Sequence, residues 1–213
     1  MRKSQLLILV RHGHSQANAE DRIVSSLGNG VKGEWGLTAL GREQAAGVVE
    51  NLRKEGLLPS GPSTSFAIIS SPFSRALETA QQIANSLTAD ICCSAENPAS
   101  RPFEVRIDEA LRERYFGAAL EGASSDAYRE VWAQDAQDVS IGPSGGGESV
   151  MDVAERCEAF IDGVVRQEPA DVVFLVSHGD TLSILATHVG RRGELARHRE
   201  QGLDNCGFVV LNS

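Results

Sequence analysis

Residues 6–13 read LLILVRHG, and residues 172–179 read VVFLVSHG. In each segment an unbroken run of five apolar residues is followed by a polar residue, a histidine and a glycine. Such runs are typical of strands covered on both faces, as the central parallel strands of an α/β sheet are. Ligands of these sheets bind beyond the carboxyl ends of the strands. If the two strands are neighbours, His12 and His178 therefore meet in one site.

The rest of the chain alternates between short apolar strands and helical patterns. We predict a helix over 38–54 with Thr38 as its N-cap, a strand over 66–70, a helix that begins at Ser149, and a last strand near 208–211. This alternation predicts an α/β fold, namely a three-layer αβα sandwich with a mostly parallel central sheet.

One domain is expected to span residues 1–213. The polar segment 15–36 has no clear period and is interpreted as a loop over the site. Residues 97–147 contain several prolines and too few apolar residues for a core of their own. We therefore interpret them as an irregular excursion, with short helices around 127–134, that caps the active site.

The acidic balance of the chain limits its partners. A formal net charge of -9 argues against a nucleic-acid surface, because such binding needs many lysines and arginines presented together. No stretch approaches the ~18 apolar residues of a membrane helix. The four cysteines form neither a zinc pattern nor a disulfide framework, which favours a cytoplasmic location. We expect no nucleic-acid or membrane partner, and a homodimer is one assembly open to the chain.

Within this acidic chain the predicted site is cationic. Arg11 lies beside the first histidine, Arg75 lies in the first turn of a helix that follows a strand, and Gly179 begins another helix. Guanidinium groups and helix N-termini both suit phosphate. A neutral histidine nitrogen aimed at phosphorus is a competent nucleophile, provided that another group protonates the leaving oxygen. The residues alone leave two sources of that acid open, Glu109 and the segment 111–117.

Six groups of residues occur along the chain in the same order as the motifs of a known family. They are Arg11-His12-Gly13 with Ser15 and Asn18, Leu37-Thr38 with Gly41 and Gln44-Ala45, Ser71-Pro72 with Arg75-Ala76 and Thr79-Ala80, Leu111-Arg112-Glu113 with Gly117, Gly147-Glu148-Ser149, and Ser177-His178-Gly179. Together they resemble the histidine phosphatase superfamily, which has the phosphoglycerate mutase-like fold. The resemblance covers nearly the whole chain.

The resemblance implies a specific chemistry. His12 is the expected phosphorylated nucleophile and Glu113 the expected proton donor. The phosphoryl group is expected to be held by Arg11, Asn18, Arg75 and His178, with the backbone of Gly179 beside them. No metal and no cofactor are expected, since arginines and imidazoles supply the charge. The expected activity is hydrolysis of a small phosphorylated metabolite, such as a sugar phosphate, through a phosphohistidine.

Departures from the family pattern bear on the type of reaction. The glycolytic mutases carry a tyrosine where this chain has Phe116, and further basic residues where 121–143 contains only Arg129. Hydrolysis is therefore favoured over mutase-type phosphoryl transfer. Many relatives have glutamate in place of His14, which we expect either to hydrogen-bond within the loop or to raise the local positive charge, and not to be catalytic.

Two other classes of protein stay open. A metal-dependent hydrolase could use His12 and His14 as a ligand pair, with Asp180 or Asp204 completing the site. Alternatively, the chain could bind a phosphorylated ligand without turning it over.

Overall fold

The computed structural model describes residues 5–59, 64–94, 103–191 and 193–212. Its strands are β1 (Leu6–Arg11), β2 (Phe66–Ser70), β3 (Val105–Ile107), β4 (Val172–Ser177) and β5 (Phe208–Asn212). Its helices are α1 (Gln16–Ala19), α2 (Leu27–Gly30), α3 (Ala39–Lys54), α4 (Ser74–Ser94), α5 (Tyr128–Asp135), α6 (Val150–Gly163) and α7 (Gly179–His188). The predicted α/β class is confirmed.

The five strands form one sheet in the order β3-β2-β4-β1-β5. All neighbours are parallel except β5, which runs antiparallel to β1. The two strands with His-Gly ends are paired directly, with Arg11 opposite Ser177. Because the register is parallel, His12 and His178 leave the sheet at the same edge, as the sequence predicts.

Helices cover both faces of this sheet, which explains the unbroken apolar runs. On one face, side chains of β1, β2 and β4 pack against α3 and α4; they include Ile8, Val10, Phe174, Val48, Leu52, Ile83 and Leu87. On the other face, alternate residues of β1 and β4 pack against α6 and α7; they include Leu7, Leu9, Leu175, Val153, Phe160, Leu182 and Leu185. Every residue of β4 is buried. The molecule is thus the predicted three-layer sandwich.

The helix boundaries follow from local capping. The Thr38 side chain accepts a hydrogen bond from the Gly41 backbone and starts α3 as predicted. Ser149 and Asp152 form a reciprocal capping box at the start of α6. The segment 15–36, predicted as a loop, contains the short helices α1 and α2. Along the described residues no helix is both long enough and apolar enough to cross a membrane.

The excursion over 97–147 differs from its prediction at its start. Residues 97–102 lie outside the described part, but Val105–Ile107 forms β3, the edge strand of the sheet, and not a piece of the cap. Three residues are too few for a visible period. The segment beyond it contains α5 as predicted and shares a small apolar cluster of Ile23, Phe116 and Val131 with the first loop. The single-domain interpretation stays a prediction.

The carboxylate of Glu121, in the excursion, hydrogen-bonds to the first loop, residues 15–36. Glu121 accepts hydrogen bonds from the backbone and side chains of Ser25 and Ser26 and from the Asn29 side chain, at 2.8–3.0 Å. These bonds join the loop that follows β1 to the segment that precedes α5. The first loop and the excursion therefore form one roof above the carboxyl edge of the sheet.

Candidate active site

A cavity of about 290 Å³ opens beneath this roof at the carboxyl edge of the strands. Its inner part is lined by the residues that the sequence singles out, namely Arg11, His12, Asn18, Arg75, Glu113 and Gly179. Its outer part is lined by the first loop, α5 and the segment before β5; these residues include Asp21, Arg22, Val24, Tyr128, Trp132 and Arg199. The predicted constellation thus converges on one site.

His12 is held in a single tautomer. Its Nδ1 lies 2.8 Å from the Gly13 carbonyl, which can only accept a hydrogen bond, so Nδ1 carries the proton. The Nε2 atom accepts a hydrogen bond of 3.1 Å from Nε of Arg75. Burial, together with the positive charges of Arg75 and Arg11, holds the pKa of His12 well below its usual value. The ring is therefore neutral, with the lone pair of Nε2 facing the cationic part of the cavity.

His178 lies directly behind this ring. The two ring centroids are 5.1 Å apart, and the planes meet at 61°. His178 is fully buried and is not among the described residues that line the cavity. Its Nε2 hydrogen-bonds to the Ser71 hydroxyl at 2.8 Å, and Phe73 packs edge-on against it. Desolvation and the nearby Arg75 keep the pKa of His178 well below its usual value, so this imidazole is also neutral.

Three buried nitrogen atoms around the two histidines have no hydrogen-bond partner among the described residues. They are Nε of Arg11, Nη1 of Arg75 and Nδ1 of His178. The two guanidinium nitrogens are donors, and so is Nδ1 of His178 when the Ser71 hydroxyl, which accepts from the Phe73 backbone, donates to Nε2. A buried donor without an acceptor is costly, by about 1–3 kcal/mol or more. Together they match the oxygen atoms of an anion such as a phosphoryl group, which accepts several hydrogen bonds at once. The inner part of the site is thus suited to a tetrahedral oxyanion.

The loop that carries His12 is fixed by close backbone packing. A Cβ atom at Gly13 would lie 2.5 Å from the Gly41 carbonyl oxygen of α3, so only glycine fits there. The Gly13 backbone also donates to the Thr79 hydroxyl at 3.0 Å, and that hydroxyl donates to the Arg75 carbonyl. Gly41, in the Gly41-x-x-Gln44 pattern, and Thr79, in the Arg75-x-x-x-Thr79 pattern, therefore help to fix the positions of His12 and Arg75.

The structure separates the two candidate acids. Glu109 is exposed, whereas Glu113 is 7% exposed and lines the cavity. Its Oε1 accepts hydrogen bonds from the Arg114 backbone at 2.9 Å and from the backbone and hydroxyl of Thr181 at 3.3 and 3.2 Å. Burial, reinforced by the negative charge of Asp180, raises the pKa of Glu113. A carboxyl group with this property is suited to donate a proton near neutral pH.

His14 does not join the cavity. Its Nδ1 hydrogen-bonds to the Thr38 hydroxyl at 3.0 Å, and its backbone contacts the Gln44 side chain. Of the described residues, one group has the spacing of metal ligands, the buried Asp135, Asp180 and His198. The Arg114 guanidinium already bonds both carboxylates of this group, at 2.6 and 3.1 Å. Within the described part of the chain, His12 and His14 belong to no group with the spacing of metal ligands.

Comparison with known proteins identifies the family. A model described as the histidine phosphatase superfamily, branch 1, matches residues 7–213. The chain belongs to the histidine phosphatase superfamily.

Relatives in this superfamily carry the names of both mutases and phosphatases. The chain is 30% identical to a probable phosphoglycerate mutase, GpmB, of Salmonella typhi over 96% of its own length and 83% of the relative. It is 30% identical to phosphoglycerate mutase-like protein 4 of Arabidopsis thaliana, over 84% and 68% of the two chains. A mycobacterial glucosyl-3-phosphoglycerate phosphatase is 25% identical with a TM-score of 0.70, over 98% and 90% of the two chains. The chain is thus similar to phosphatases and to mutases.

Sequence reasoning missed part of this histidine phosphatase site. Asn205, which precedes β5, donates from Nδ2 to the His12 carbonyl at 3.1 Å and lies 3.4 Å from the Asn18 side chain. The cap helix near 127–134 is predicted, but its side-chain contacts are not: Tyr128 and Trp132 stack with centroids 5.2 Å apart, and the Arg199 guanidinium lies 4.1 Å from the indole centroid. The i, i+4 spacing of the two aromatic residues on α5 is the only signal of these contacts in the sequence.

Proposed function

We propose that this protein is a phosphomonoester hydrolase that acts through a phosphohistidine at His12. The observation that carries the proposal is the pairing of a neutral His12, whose Nε2 lone pair faces the cationic part of the cavity, with the buried carboxyl of Glu113 on the same cavity. The nucleophile must have an unprotonated nitrogen and the acid must carry a proton. The surroundings of His12 and Glu113 favour these two states.

The first half of the reaction transfers the phosphoryl group to the protein. Nε2 of His12 forms a bond to phosphorus while the ester P–O bond breaks, and the proton of Glu113 moves to the leaving oxygen, which departs as an alcohol. Arg11, Arg75 and the Nδ1 atom of His178 donate hydrogen bonds to the phosphoryl oxygens, with Asn18 and the Gly179 backbone beside them. To do so, Arg75 gives up its hydrogen bond to Nε2 when the phosphoryl group approaches.

The second half returns the protein to its starting state. The carboxylate of Glu113 takes a proton from water, the water oxygen bonds to phosphorus, and the P–N bond breaks. Inorganic phosphate leaves, Nε2 recovers its lone pair, and Glu113 is protonated again. Charge on the phosphoryl group is balanced by the arginines, so the steps require no metal ion or other cofactor.

The proposed substrate is a small phosphorylated metabolite such as a sugar phosphate. A cavity of about 290 Å³ accommodates a phosphoryl group with one compact organic group attached. Phe116 is buried in the cavity wall, and Arg129 of the cap is exposed beside Asp126. With no basic residue of 121–143 directed into the cavity, hydrolysis is favoured over mutase transfer, which needs a tightly held bisphosphate. A cytoplasmic location and a homodimer stay predictions.

Trapping the intermediate tests the proposal. We expect a small phosphomonoester labelled on its phosphoryl group, such as p-nitrophenyl phosphate, to leave label on the protein when the reaction is quenched in base. The same adduct should be lost in acid, because phosphohistidine is acid-labile. An acid-stable adduct would indicate a serine or another hydroxyl nucleophile instead. Binding of phosphate without any turnover would favour a non-catalytic binding protein.

A chelator and a neighbouring histidine test the metal-dependent alternative. We expect turnover to survive excess EDTA. We also expect His14→Ala to keep most of the turnover, because His14 contacts Thr38 and not the cavity. If His12 and His14 were a ligand pair, this variant would lose activity as completely as a variant of His12. The measurement is kcat/KM for p-nitrophenyl phosphate, together with a thermal melt to show that the variant is folded.

A further inference from the structure

A second buried carboxylate lies beside the proposed acid and has no part in the steps above. Asp180 is 3% exposed and lies in the first turn of α7. Its Oδ1 accepts hydrogen bonds from Nε1 of Trp132 and Nη1 of Arg199, both at 3.1 Å, and lies 3.4 Å from Nε2 of His198. Its Oδ2 accepts from Nη1 of Arg114 at 3.1 Å. Trp132, Arg199 and Arg114 can only donate hydrogen bonds, and two of them are cationic, so the site accepts an ionised carboxylate and not a carboxylic acid.

Asp180 is connected to Glu113 from two sides. Thr181, the next residue on α7, donates to Oε1 of Glu113 through its backbone and its hydroxyl. Arg114, the next residue after Glu113, donates to Asp180 through its side chain. The donors to Oε1 of Glu113 are thus neutral groups, whereas two guanidinium groups bond Asp180. The residue pairs Glu113-Arg114 and Asp180-Thr181 thus give the two carboxyl groups different surroundings. Those of Glu113 favour a proton, and those of Asp180 favour a negative charge.

Asp180 also orders the outer wall of the cavity. Trp132 and Arg199, which both bond its Oδ1, lie against each other and line the cavity. The side chains that a substrate contacts at this wall are therefore linked, through the Asp180 carboxylate, to Glu113, the group that protonates the leaving oxygen.

We propose that Asp180 is a positioning residue that stays ionised and thereby keeps Glu113 in its proton-carrying form. The inference rests on the proposed function, because it assigns a cause to the proton of Glu113. Two like charges in a buried region cannot both be held cheaply, so the carboxyl without cationic hydrogen-bond donors retains the proton. The charged and titratable groups that face Glu113 from the neighbouring elements are Arg11 of β1, Arg75 of α4, Tyr128 of α5 and Asp180 of α7.

The variant Asp180→Asn tests the role of this negative charge. Removing it lowers the pKa of Glu113, because a repulsive charge is lost while Arg11 and Arg75 remain. The basic limb of kcat/KM for an alkyl phosphate should then move to lower pH by about one unit, which lowers kcat/KM about tenfold above that limb. An aryl phosphate should lose less, since p-nitrophenolate leaves without a proton. The ionisation of each substrate is the same for both proteins and cancels in the comparison.

Asp135→Asn is the matched control. Asp135 is equally buried and bonds the same Arg114 guanidinium, but it does not line the cavity. We expect it to lower the melting temperature while leaving the basic limb in place. The proposal is overturned if Asp180→Asn reduces both substrates equally with an unmoved limb, or if both variants move the limb alike.

A measurement on the unaltered protein keeps the inference testable if Asp180→Asn does not fold. Carboxyl-carbon NMR across a pH series should show one buried carboxyl that titrates above the usual glutamate range and is absent in Glu113→Gln. A second buried carboxyl, that of Asp180, should stay ionised throughout. The opposite assignment would contradict the inference while leaving a trapped phosphohistidine, and hence the proposed function, intact.

Discussion

Replacing His12 with alanine should abolish turnover, with kcat for p-nitrophenyl phosphate falling by at least about 10⁴-fold, as the loss of a covalent nucleophile generally does. Arg75 and Arg11 remain, so inorganic phosphate should still bind. The alanine removes an imidazole with 4% exposure and its hydrogen bond to Arg75, so some loss of stability is also expected. Turnover is measured by phosphate release, and phosphate binding by calorimetry.

Two features separate this result from simple unfolding. The variant should keep a cooperative thermal transition, and it should carry no base-stable label after incubation with the labelled ester. His14→Ala, made in the same loop, is the control for disturbance of the backbone. Substantial turnover in folded His12→Ala would show that another residue is the nucleophile.

Replacing Glu113 with glutamine should slow hydrolysis in a way that depends on the leaving group. The amide keeps the shape of the side chain but carries no transferable acidic proton. For alkyl phosphates kcat/KM should fall by about 10²–10⁴-fold, the usual contribution of general acid catalysis. Aryl phosphates should lose much less. Because burial and Asp180 raise the pKa of Glu113, the protonated form persists toward neutral pH, and the basic limb for alkyl phosphates should disappear in the variant.

The exposed Glu109 supplies the control for this experiment. Glu109→Gln changes the charge of the same segment without touching the cavity, so its pH profile should match that of the unaltered protein. Equal losses for alkyl and aryl phosphates in Glu113→Gln would indicate a structural role for Glu113 instead of proton transfer. The proton on the leaving oxygen would then come from another group.

The sheet and the inner site were predictable because long-range pairing leaves a signal in local sequence. An apolar run covered on both faces must be central, and two such runs with His-Gly ends at matching positions gave the contact between β1 and β4. Arg75 followed from the strand that precedes its helix. The choice of Glu113 over Glu109 did not follow from local pattern, since burial depends on how the excursion folds back; only the family resemblance selected it.

The parts that escaped prediction are those fixed by packing between distant segments. Asn205 reaches the His12 carbonyl from a turn near the end of the chain, and polar residues in a turn carry no period. Asp180 was considered only as a metal ligand, because its partners Arg114, Trp132 and Arg199 lie in three other segments. The edge strand Val105–Ile107 is short and largely exposed, so the sheet, and not its own composition, determines its conformation.

The pairing of β1 with β4 has a consequence for biosynthesis. β1, which leads into His12, is synthesised well before both of its partners in the sheet, β4 and β5. Contacts between such distant segments form late and slowly. A nascent chain that ends before residue 172 would therefore expose the apolar strand β1 and would lack the assembled cavity. Phosphate binding would then indicate that the whole sheet has formed.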